Sequence, residues 1–135
     1  MIERTLDATI ENIETVTEYV NEQLTACHCP PKAMAQIDIA IDELFGNIVH
    51  YAYNPDVGPV TVRVEVKEEP MSVNITFIDS GVPYDPLSKE NPDTSLSAED
   101  RDIGGLGIYI VKKSMDEITY EYKDGQNILR VKKHF

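Results

Sequence analysis

Hydrophobic positions along the chain change period several times, and each change marks an element. Ile2 and Leu6 alternate with polar neighbours, which predicts a short strand over 2–7. From about Asn12 to Cys27 the spacing turns helical: Ile13, Val16, Val20, Leu24 and Cys27 share one side, and the other is Glu, Thr and Asn. Pro30 and Pro31 stop that helix. The dominant stretch starts near Lys32 and is clearest over Ile37 to Tyr53. Ile37, Ala40, Ile41, Leu44, Phe45, Ile48 and Ala52 form one broad apolar stripe. Asn54-Pro55 is the predicted end, because the residue before proline resists the helical conformation.

After a loop over 55–59, Val60, Val62, Val64 and Val66 alternate with Thr61, Arg63, Glu65 and Lys67. This predicts a strand with one wet face. Glu68-Glu69-Pro70 turn the chain, and Val73, Ile75 and Phe77 predict an antiparallel neighbour ending at Ile78-Asp79. Asp79 to Ile103 has no periodicity, and a loop of that length inside a compact domain is often functional. Gly104-Gly105-Leu106-Gly107 then lead into a predicted helix over 108–115. Ile118, Tyr120 and Tyr122 alternate, 123–127 turn, and 128–133 return as a final hairpin. This order predicts one domain over 1–135, an α+β two-layer sandwich. Its mostly antiparallel or mixed sheet has about five strands, with three helices on one face.

Composition narrows the function more than the fold. Apolar residues make up 41%, an ordinary globular value. The 24 acidic and 12 basic residues give a net charge of −12, which argues against a nucleic-acid or anionic-membrane surface. It leaves room for an anionic ligand held in a small pocket by backbone amides and a metal. No apolar run is long enough to span a membrane and no signal peptide opens the chain, so a cytoplasmic location is the default expectation. Cys27 and Cys29 flank His28, but a metal site needs more ligands than these, so they read as reduced bystanders.

Three stretches carry candidate chemistry. Glu43 and Asn47 lie one helical turn apart at the edge of the apolar stripe. A carboxylate there can accept a proton, and a carboxamide oxygen suits magnesium. Asp79, where a strand ends, can accept from an exocyclic amine, with Gly81 keeping the approach clear. Gly104, Gly105 and Gly107, ahead of a helix N-terminus, suit a phosphate. Each stretch alone has an ordinary reading, as a solvated helix face, a capped turn and a tight turn respectively.

Taken in order, the three resemble the ATP-binding fold (the Bergerat type) shared by gyrase, Hsp90, MutL and sensor histidine kinases. The resemblance is closest to the small RsbW/SpoIIAB-like anti-sigma factor serine/threonine kinases. It rests on ELFGN at 43–47 with AY at 52–53, DSGVPYDP at 79–86, and DRDIGGLGIYIVKKSMDEITYE at 100–121. It implies that Glu43 is the general base and Asn47 the Mg²⁺ ligand. Asp79 would read the adenine amine, with Gly81 beside the ring. Gly104, Gly105, Leu106 and Gly107 would form the phosphate-contacting turn, residues 85–103 the nucleotide lid, and Arg101 a group near the phosphates or the docked partner. Pro83 stands where the wider superfamily often has a third glycine, and Tyr51 where the branch often has histidine, so His50 takes no catalytic role. The superfamily's late threonine has no clear counterpart; Asn127 stands nearest.

The function implied by the resemblance is a Mg-ATP-dependent protein serine/threonine kinase. It would act on a small STAS-type anti-anti-sigma partner, with a sigma factor as a further candidate partner and a homodimer as a candidate assembly. The alternative is a nucleotide-binding switch that sequesters a partner without phosphoryl transfer.

Overall fold

The computed structural model describes residues 1–88 and 103–135, with only the backbone of 103–105. The chain runs β1 (Ile2–Asp7), α1 (Glu11–Ala26), α2 (Pro31–Asn47), a π-helical turn (Ile48–Ala52), β2 (Pro59–Lys67), β3 (Ser72–Asp79), a 3₁₀ turn (Pro86–Ser88), α3 (Ile103–Ser114), β4 (Glu117–Lys123) and β5 (Gln126–His134).

All the strands form one sheet in the order β1-β2-β3-β5-β4, and every pairing is antiparallel. The expected α+β sandwich is thus present, with an entirely antiparallel sheet. The valines at 60, 62 and 64, with Val73, Ile75, Phe77, Leu129 and Val131, are buried in one core with the apolar stripes of the helices. Val16, Val20 and Leu24 come from α1, Ile37, Ile41, Leu44 and Phe45 from α2, and Ile108 and Val111 from α3. The period-2 and period-3.6 patterns therefore meet in a single layer contact. The uncovered face of the sheet carries Thr61, Arg63 and Glu65 on β2, cross-strand neighbours of Ile78, Thr76 and Asn74 on β3.

The long predicted helix departs from expectation at its end. Regular α-helix stops at Asn47, and Ile48–Ala52 continue with π-type bonding. The apolar stripe carries through both, because Ile48 and Ala52 are buried as well. An inserted wide turn of this kind often marks a functional site. Here it aims the Ala52 carbonyl at the loop after β3, where it accepts from the Val82 N–H at 2.9 Å.

A second departure concerns the glycines. α3 begins at Ile103, so Gly104, Gly105 and Gly107 belong to its opening turns and do not form a separate turn ahead of it. Ile108, Val111 and Met115 bury together and fix the helical frame. That frame runs back through the glycines, whose weak intrinsic preference packing overrides. Cys27 and Cys29 are free. Among the described residues no helix is long and apolar enough to cross a membrane.

Candidate functional site

The site is set by sheet register. Asp79, the last residue of β3, lies directly opposite Asn127 on β5, and Asn127 lies opposite Tyr122 on β4. Asp79 and Asn127 are both buried polar residues on a sheet whose buried positions are mostly aliphatic or aromatic. Buried polar groups need partners. Asp79 Oδ1 accepts from the Gly81 N–H at 2.9 Å and from Asn127 Nδ2 at 2.9 Å. Among the described residues both bonds to the Asp79 side chain end on Oδ1, and Oδ2 carries none.

Gly81 is required by space. A β-carbon there would overlap the Ala52 carbonyl. The Ala-Tyr pair completes this turn. Tyr53 donates its hydroxyl to the Pro59 carbonyl at 2.6 Å and accepts from the Ser80 N–H at 2.8 Å. Burial pushes the Tyr53 phenol up, the Ser80 bond works against it, and Asp79 adds to the rise.

A narrow cleft, partly open to solvent, lies between the end of α2 and the strand ends. Asn47, Tyr51, Asp79, Val82, Tyr84 and Asn127 are among its walls. Apolar walls with a few convergent polar groups are the usual make-up of a small-molecule site. Tyr51 and Tyr84 stack across it, with ring centroids 5.3 Å apart and planes 27° from parallel. The Asn47 carboxamide has no hydrogen-bond partner among the described residues.

One turn before Asn47, Glu43 leaves the cleft wall and meets α3. Its carboxylate occupies the space that a β-carbon on Gly107 would take. Burial pushes the Glu43 carboxyl above the ordinary glutamate range, and Asp42 beside it pushes the same way. A carboxylate near the opening turns of a helix, with a raised proton affinity, is suited to proton transfer.

The predicted residues thus fall into two groups: Asn47 and Asp79 in the cleft wall, with Gly81 bonded to Asp79, and Glu43 with Gly107 one helical turn from Asn47. Leu106 is half-buried in α3 and is not part of the cleft wall. Arg101 and most of the expected lid lie outside the described residues. Tyr84 and Tyr120 were not singled out from sequence, and Asn127 only weakly. A usable signal existed: Asn127, Leu129 and Val131 alternate on β5, which puts an asparagine at an inward position.

An antiparallel sheet with helices on one face, and a cleft where α2 meets the strand ends, defines a two-layer α+β sandwich with its candidate site at the strand ends. The chain belongs to the family of the histidine kinase-like ATPase domain, whose model it matches over residues 6–133. It is similar to the serine/threonine-protein kinase BtrW of Bordetella bronchiseptica, 28% identical over 73% of this chain and 68% of that protein. It is also similar to the serine-protein kinases RsbW of Bacillus mycoides, 32% identical over 73% of this chain and 63% of the relative, and of Bacillus cereus, 35% over 70% and 60%. The matched segment spans roughly three-fifths to two-thirds of each relative's own length.

Proposed function

We propose that this domain binds Mg-ATP and transfers its γ-phosphoryl group to a serine or threonine of a small STAS-type anti-anti-sigma protein. The observation that carries the reading is Asp79, a buried carboxylate with Oδ1 tied into the fold and Oδ2 left for an amine donor. The adenine N6 amine is such a donor. The kinases named among the relatives support the transfer step.

Mg²⁺ fits the residues present. No group of three or more His, Cys, Asp or Glu among the described residues could hold a metal alone. Mg²⁺ commonly keeps several waters and is held jointly by few protein ligands and substrate phosphates. The Asn47 carboxamide, with no hydrogen-bond partner among the described residues, would supply one hard oxygen. The ion would neutralise charge on the phosphates.

Glu43 accepts the proton of the attacking hydroxyl. That oxygen forms a bond to the γ-phosphorus, the bond to the β,γ-bridging oxygen breaks, and ADP leaves with the electron pair. The opening turns of α3, rich in glycine, would offer the unpaired amides of a helix start to the phosphates.

Calorimetry with ATP, with and without Mg²⁺, on the wild type and Asn47→Ala tests the site. The expected result is Mg-dependent binding, weakened at least about tenfold in the variant, equal to about 1.4 kcal/mol. A folded wild type that binds no ATP overturns the reading.

A further inference from the structure

Asn127 has an unusual hydrogen-bond account. A carboxamide offers two N–H donors and an oxygen with two lone pairs. Nδ2 donates to Asp79 Oδ1 at 2.9 Å and to the Val82 carbonyl at 3.0 Å, with the Gly81 carbonyl further off at 3.4 Å. Oδ1 accepts from the Tyr84 N–H at 3.2 Å and from the Tyr120 hydroxyl. The opposite amide orientation would aim the oxygen at acceptors and the nitrogen at donors, so the network allows one arrangement. With 5% exposure and every polar site used inside the protein, the side chain has nothing left for a ligand.

The partners come from three places: the end of β3, the loop at 81–84, and β4. The loop they hold carries Val82 and Tyr84 into the cleft wall, and Tyr84 stacks on Tyr51 across it. A threonine here would bring one hydroxyl and could not replace this set.

We propose that Asn127 is a positioning residue that fixes Asp79 as a hydrogen-bond acceptor and so restricts the cleft to nucleobases bearing an exocyclic amine. This rests on reading the cleft as the nucleobase site. The amide N–H on Oδ1 holds the carboxylate as an acceptor and leaves Oδ2 to meet an amine. A base with a carbonyl at that point would put two acceptors face to face.

The test compares ATP with inosine triphosphate, which has a carbonyl in place of the adenine amine. Affinities are measured by calorimetry on the wild type, Asn127→Leu and Asn127→Asp. The wild type should prefer ATP by about 100-fold or more. Asn127→Leu should bring the preference below about tenfold by weakening ATP and leaving the inosine nucleotide nearly unchanged. Asn127→Asp sets two carboxylates face to face, and they share one proton at lower pH. The shared proton restores the donor, so ATP affinity in this variant should fall as pH rises, more steeply than in the wild type. The titratable groups facing this position are Asp79 on β3, Tyr120 on β4 and Tyr84 in the loop, with Asp85 acting on Tyr120.

An unchanged preference in Asn127→Leu, or a pH profile in Asn127→Asp parallel to the wild type, overturns the proposal. If Asn127→Leu does not fold, the Asn127→Asp profile decides alone. A folded wild type that binds neither nucleotide overturns the reading of the cleft itself.

Discussion

The Glu43 carboxylate stands where a β-carbon on Gly107 would be, so it can hold that place only because residue 107 has no side chain. Glycine inside a helix costs about 1 kcal/mol relative to alanine. Here the gain is room for a carboxylate next to the candidate site. Gly107→Ala should fold, because the end of a glutamate side chain can give way. The carboxylate will then be displaced. Misplacing a catalytic group by about 1 Å can cost on the order of 100-fold. The expected outcome is a similar loss of phosphoryl transfer at saturating ATP, with ATP affinity kept and Tm unchanged or raised. Transfer at the wild-type rate would separate Gly107 from the base.

Glu43 also links activity to pH. Its carboxyl is pushed above the ordinary glutamate range, by burial first and by Asp42 second. In the proposed role of base it would work only when ionised, so the transfer rate should fall on acidification at a higher pH than an ordinary glutamate allows. Glu43→Gln should lower the rate by about 10²–10⁴-fold and remove that acidic limb. Stability moves the other way. A folded pKa above the unfolded one means that protonation favours the folded state. The contribution is present at low pH and is lost as pH rises through the folded pKa. Glu43→Gln should therefore raise Tm at neutral pH, and the gap to wild type should close on acidification. Thermal unfolding across that range checks the sign.

Local periodicity carried most of the fold. The valine alternation on β2 and the stripe through Phe45 needed no tertiary information, because each pattern matches one period. The π turn at Ile48–Ala52 was hidden, since its buried residues fall where a regular helix would also bury them. The start of α3 was hidden for another reason: glycines carry no apolar signal, and packing further along the helix sets its frame. In the candidate site, Glu43 and Asn47 stand out in the sequence as polar positions at the edge of a helical apolar stripe, and Asp79 as a carboxylate at a strand end. The meeting of Asn127 with Asp79 depends on β3–β5 register, which couples positions 48 residues apart. The Tyr51–Tyr84 stack likewise joins a helix end to a loop, and nothing local announces it.

Gly81 tests the loop after β3. A β-carbon there meets the Ala52 backbone carbonyl, which cannot swing aside as a side chain can. That carbonyl is also the acceptor for the Val82 N–H. Gly81→Ala should shift the loop, at about 1–3 kcal/mol of stability, typical of overpacking. The Gly81 N–H bond to Asp79 Oδ1 would be strained as well. ATP affinity should fall at least tenfold by calorimetry. An affinity equal to wild type would mean that this loop does not shape the base site.

Tyr53 and Phe45 separate positioning from plain stability. The Tyr53 hydroxyl bridges Pro59 and Ser80, whereas its ring fills the space beside Gly58, where a β-carbon would overlap it. Tyr53→Phe keeps the ring and removes two hydrogen bonds. The expected stability loss is about 1–3 kcal/mol for the pair. Because Ser80 follows Asp79 directly, the turn beside the carboxylate loosens, and ATP affinity should fall with stability. Phe45 lies fully buried on α2, among the core residues and away from the cleft wall. Phe45→Ala should cost more, about 3–5 kcal/mol. Where the protein is still folded, its ATP affinity should stay near wild type. Measuring denaturation and ATP binding on both variants gives two points that stability alone cannot order: the milder substitution is expected to do the greater harm to binding. If affinity instead tracks stability across the pair, Tyr53 has no positioning role.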